Sequence, residues 1–204
     1  MGRSSARDTA FHFAREFADE LTNPEDFFRS KRVEGWRNAL FFFLSVTGIL
    51  AIVTPIVNWA GIPSNDFSSA YQAQILAYTL VNASLVETYG TYAYVVEAVL
   101  IMILSLLMLM LLTVFLHVVY RLIGGQGSIL NAWKAACYGV GPCLLGGFIP
   151  YVALFAGFYS FAMQFYLGPM TLYHAKQSRA IVIFTSFTAL AFIEMFVLGT
   201  TTGT

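Results

Sequence analysis

Long apolar stretches alternate along the chain with short polar ones, and a helix of ~20 apolar residues is enough to cross a bilayer. Five such stretches predict five transmembrane helices, over residues 39–59, 95–119, 133–149, 151–167 and 180–198. The first begins at Ala39 and runs for ~21 residues, too late and too long for a cleaved leader with its short apolar region. The fold class expected is therefore all-α: a polytopic helical bundle in the membrane, with interfacial amphipathic helices and a short outer tail at 199–204.

Residues 1–38 have a different periodicity. Ala10, Phe13, Ala14, Phe17 and Leu21 recur at helical spacing, while Arg7, Arg15, Glu16, Asp19 and Glu20 fill the other face. This predicts an amphipathic helix lying on the membrane, with Phe13, Phe17 and Leu21 as its membrane-surface residues. Asn23 followed by Pro24, Glu25 and Asp26 predicts a second short helix, capped by the asparagine and opened by the proline, with Phe27 and Phe28 dipping into the interface. Between the first two spans, Tyr71, Ile75, Tyr78 and Val81 keep an apolar period that predicts an outer interfacial helix. Asn82-Ala83-Ser84 matches the glycosylation acceptor pattern.

In lipid, helices associate where small residues let backbones approach. Ala135, Gly139, Cys143 and Gly147 recur at every fourth position of the third span, and Ala153 and Gly157 are the expected answer on the fourth. Pro55 predicts a kink in the first span. Pro142 frees a carbonyl near Tyr138, which must find another donor or line a wet cavity.

Composition agrees with this pattern: 58% of residues are hydrophobic and 11% are charged, against ~25% charged in ordinary soluble domains. The net charge is zero, yet the 11 basic residues are segregated. Seven precede Asn38, and Arg121, Lys134, Lys176 and Arg179 follow in alternate loops. Lysine and arginine concentrate on the cytoplasmic side of short loops, so the amino terminus is expected in the cytoplasm and the carboxyl terminus outside. Nothing in this distribution suits nucleic acid. Cys137 and Cys143 fall on different faces of one helix, which disfavours a disulfide between them.

Few residues offer chemistry. An ionisable group within a span is by default a functional candidate, because its burial in hydrocarbon needs pairing or water. Glu97 and Glu194, with Asn58, form a candidate ion or proton site in the outer leaflet. His117 reads as an interfacial histidine or an interhelical hydrogen bonder rather than a metal ligand; three histidines and no Cys/His spacing pattern give no metal site. Gly124-Gly125-Gln126-Gly127-Ser128 invites a phosphate-cradle reading, but the Lys-Ser/Thr ending is missing, and Ser128 as the helix N-cap explains the loop. The sequence offers no catalytic motif, and no metal or cofactor is expected, so no enzyme is expected.

The order of these elements resembles the Yip-domain family, five-span membrane proteins named for interaction with Ypt/Rab GTPases. The resemblance rests on NPEDFF at 23–28, YRLIGGQGSILNAWKAACYGVGP at 120–142, IPY at 149–151 and LYHAKQSRA at 172–180. In eukaryotes it implies trafficking between endoplasmic reticulum and Golgi, with GTPases and other Yip members as partners. The Asp-Leu-x-Gly-Pro motif of eukaryotic members is missing and the cytoplasmic segment is short for a GTPase-binding arm; the chain is similar to a prokaryotic member, and both departures weaken the case for a GTPase partner. Two functions follow: a non-enzymatic membrane-organising or trafficking-type scaffold, working through the lipid bilayer, self-association or a membrane protein partner, or an ion or small-solute transporter using Glu97 and Glu194.

Overall fold

The computed structural model describes residues 6–59, 81, 83–148 and 152–201. Helix α1 (Ala6–Thr22) turns at Asn23 into α2 (Pro24–Lys31), which opens on the proline with Glu25 and Asp26 in its first turn, where acids favour the positive end of the helix dipole. Helix α3 (Trp36–Trp59) runs uninterrupted through Pro55. Helix α4 (Ala93–Leu122), 30 residues long, is apolar on every side and leaves Val95, Ile103, Leu107, Met110 and Val118 exposed. Trp36–Val53 and the helical stretch Ala83–Leu122 are the two segments, among the described residues, long and apolar enough to cross a membrane.

The remaining helices are shorter. Helix α5 (Ile129–Tyr138) stops at Gly139, and α6 (Cys143–Phe148) resumes after Pro142, whose missing N–H cannot continue the ladder. The third apolar run is thus two short helices around a break. Helix α7 (Ala153–Ala162) passes through one π turn, Met163–Leu167, into α8 (Gly168–Tyr173), closed by His174 in the left-handed region at φ 55°. Helix α9 (Gln177–Thr201) is the last of the described elements. The expected outer helix at 71–81 and the Asn82 acceptor lie outside the described residues, except for Val81.

Helices α3, α4 and α5 pack on one another, α6 packs on α3 and α7, and α9 packs on the π turn and α8. The α1–α2 hairpin does not lie flat outside this bundle. Phe27 and Phe28 are buried in the protein core, and Phe13 and Phe17, half-buried, pack against it, so each of these rings has protein contacts.

Candidate functional site

The hairpin seat is built from four rings on four helices. Phe13 of α1 stands 5.4 Å from Phe42 of α3, and Phe42 stands 5.2 Å from Tyr138 of α5. Phe27 of α2 meets Tyr138 edge-on at 5.2 Å. Such pairs contribute about 0.5–1.5 kcal/mol each beyond their burial, and here each joins a different pair of elements.

An ionic cluster closes over the rings. Lys31, 4% exposed, places its ammonium between the carboxylates of Glu16 and Glu34, and over the faces of Phe27 and Tyr138. Glu34 also accepts from the Tyr138 hydroxyl at 3.0 Å, and Lys134 donates to the Arg32 carbonyl at 2.8 Å. Three separate stretches of chain therefore share one set of charges. The buried lysine is compatible with folding because two carboxylates and two ring faces replace its water.

At the far end of α1, Glu20 is fully buried, and its carboxyl points at Gly141, where a Cβ would collide with it. The sequence reading put Glu20 on the solvent face of α1. At 100° per residue, however, a position seven after Phe13 and three after Phe17 lies beside both, and docking of that stripe carries Glu20 inward. Burial holds its pKa well above the ordinary 4.5, reinforced by Glu16 and opposed by Lys31. The Tyr159 hydroxyl donates to the Leu21 carbonyl at 3.1 Å, fixing the last turn of α1 against α7.

The break between α5 and α6 answers the question of the freed carbonyls. Gly141 N–H donates to Tyr138 O at 3.1 Å, and the Ser160 hydroxyl donates to Gly139 O. One turn further, Tyr120 donates to the carbonyl of Gln164 inside the π turn, and a Cβ at Gly168 would collide with its hydroxyl.

The glycine-rich loop is filled by protein. Side chains at Gly125 or Gly127 would run into Tyr173, at 2.9 and 2.6 Å. The amides of Gly125 and Gln126 already donate to Tyr120 O and Tyr173 O, at 2.9 and 2.7 Å. Ser128 stands at the N-cap position without a side-chain cap bond, and its carbonyl accepts from the Tyr173 hydroxyl at 2.6 Å. His117 Nδ1 pairs with that same hydroxyl, an interhelical bond of the kind its position suggested.

Among the other predicted site residues, Glu97 is buried on α4, while the side chains of Asn58 and Glu194 lie outside the described residues. Ala135 and Gly139 face the fourth apolar run, meeting Gly168 and Gln164 respectively; Cys143 is half-buried, and Gly147 and Ala153 lie outside the described side chains. Gly157 does not serve as their counterpart: a Cβ there would meet open space. The row turned toward the bundle is Ala156, Ser160, Gln164 and Gly168, also spaced by four but one residue earlier. Both cysteines are free thiols.

Among the described residues the secondary structure is helical, and two stretches are long and apolar enough to cross a membrane, with apolar side chains turned outward, which points to a helical membrane protein. The model for the Yip1 domain matches residues 19–198, from the last turn of α1 almost to the end of α9. The chain belongs to the Yip-domain family. No curated protein and no solved structure matches it.

Proposed function

We propose that the chain is a non-enzymatic, five-span membrane scaffold with its amino terminus in the cytoplasm and its carboxyl terminus outside. The observation that carries this reading is the seat just described: a polar hairpin packed on an apolar bundle presents a protein face at one end of the spans. Five spans are supported by the five apolar runs, the third broken at Gly139–Pro142 and the fourth continued through a π turn. Orientation is supported by the 11 basic residues, all of which fall on one side in that arrangement. The scaffold works through lipid contact and association with itself or another membrane protein, and the hairpin sets what that face offers.

The test uses the full chain and a deletion of residues 1–22, each reconstituted in vesicles, with self-association followed by energy transfer on dilution into excess lipid and ion and proton flux followed in parallel. The expected result is association in the full chain, a changed association in the deletion, and no flux in either. Flux above that of empty vesicles, or identical association with and without residues 1–22, overturns the reading.

A further inference from the structure

Glu20 holds a carboxyl that the protein encloses and does not pair. It is 0% exposed, and among the described residues neither Oε1 nor Oε2 has a hydrogen-bond donor. It is aimed at Gly141, within the Gly139–Pro142 break, where a side chain of any size would displace it.

The groups around it are committed elsewhere. Glu16, one turn earlier on α1, adds a second negative charge. Lys31 on α2 spends its ammonium on Glu16 and Glu34. Tyr159 on α7 gives its hydroxyl proton to Leu21 O, Ser160 gives its own to Gly139 O, and the Cys143 thiol on α6 makes no hydrogen bond to Glu20. A carboxylate can accept at about four lone-pair positions, and here it accepts at none. A buried anion without donors is heavily penalised, whereas the neutral acid is the form such an enclosure tolerates.

We propose that Glu20 is a proton-binding site: α1 docks against the Gly139–Pro142 break with this carboxyl protonated, and loss of the proton releases α1 from the bundle. The ligand is the proton, and the cradle is the side-chain-free wall at Gly141. The inference stands on packing alone and holds whatever the docked hairpin is for.

The direction follows from linkage. Undocked, the carboxyl titrates near its ordinary 4.5; docked, it titrates higher. Docking is therefore complete below the lower value, weakens by up to tenfold per pH unit above it, and levels off once the docked form has also lost its proton.

The test measures hydrogen exchange of the α1 amides in the full chain, held in phosphatidylcholine and phosphatidylglycerol nanodiscs, from about pH 5 to about pH 9. Wild type is compared with Glu20→Gln at each pH, so the intrinsic pH dependence of exchange cancels. The two agree at the acid end, and wild type then exchanges progressively faster than the variant, by up to tenfold per unit. A ratio that stays constant across the range overturns the proposal.

If Glu20→Gln does not fold, a free peptide of residues 1–22 supplies the intrinsic rate: wild type is then expected to exchange far more slowly than the peptide at the acid end and to approach it as pH rises, and a ratio that stays constant overturns the proposal. Gly141→Ala, with its intruding Cβ, is expected to give at acid pH the fast α1 exchange of wild type at alkaline pH; unchanged protection overturns the cradle. Protection restored at alkaline pH by exchanging potassium for sodium would make the site one for a metal cation and overturn the assignment to a proton.

Discussion

Replacing Lys31 by methionine keeps an unbranched side chain, one atom shorter, and removes its charge. In the folded chain Lys31 is 5% exposed at its side chain, with Glu16 at 17% and Glu34 at 28%. Deleting one partner of a fully buried ion pair costs about 3–5 kcal/mol, because the other charge is left without compensation. Both carboxylates here retain some contact with water, which returns part of that cost, while the ammonium contacts with Phe27 and Tyr138 are lost as well. The expected net loss is about 2–3 kcal/mol, confined to the hairpin. At 1.4 kcal/mol per factor of ten, α1 and α2 amides should open roughly 30- to 150-fold more often. Hydrogen exchange of the reconstituted full chain reads this directly, with the α4 amides as an internal control that stays unchanged. Neutralising the partners too, as Lys31→Met with Glu16→Gln and Glu34→Gln, should recover much of the protection, since the cost lies in stranded charge and not in lost volume. Exchange in α1 within threefold of wild type would refute the view that this cluster holds the hairpin down.

Two further substitutions probe the contacts behind the seat. Gly168→Ala drives a methyl into the Tyr120 hydroxyl and should cost about 1–3 kcal/mol by overpacking, seen as a lowered thermal midpoint in detergent; an unchanged midpoint would mean that Tyr120 has room to move. Tyr173→Phe removes the donor to Ser128 O and the partner of His117, and should cost about 1–2 kcal/mol in the same assay, whereas Ser30→Ala, at a part-buried hydroxyl that bonds its own helix, should be near neutral.

What could be read from the sequence followed the range of the interactions involved. Hydropathy is a property of each residue, so the apolar runs that become α3 and α4 were legible. So was the start of α2, because the Asn23-Pro24-Glu25-Asp26 signal is local. The break at Pro142 was legible as a freed carbonyl at Tyr138, which Gly141 N–H answers locally, but the neighbouring Gly139 carbonyl is answered by Ser160, 21 residues away, and that pairing was not legible. Likewise Lys31 finds Glu16 across 15 residues, through a hairpin that exists only once Phe13 and Phe27 have met Phe42. Residue size alone points to Gly157 as the small-residue row of the fourth span. The bundle instead turns the polar Ser160 and Gln164 inward beside Ala156 and Gly168.

The same reasoning explains Glu20. Charge type assigned it to water, and charge type is normally the better guide, because an isolated acid belongs on the surface. Its angular position argued the other way, only 20° from Phe13 on a helix of 100° per residue. Angle prevails where the partner surface has been emptied to receive the side chain, and Gly141 is that emptying. An acid on the apolar edge of an amphipathic helix, together with a glycine in the middle of a broken span, is thus a pair of signals that has meaning only jointly. Neither residue alone would distinguish a surface helix from one that docks.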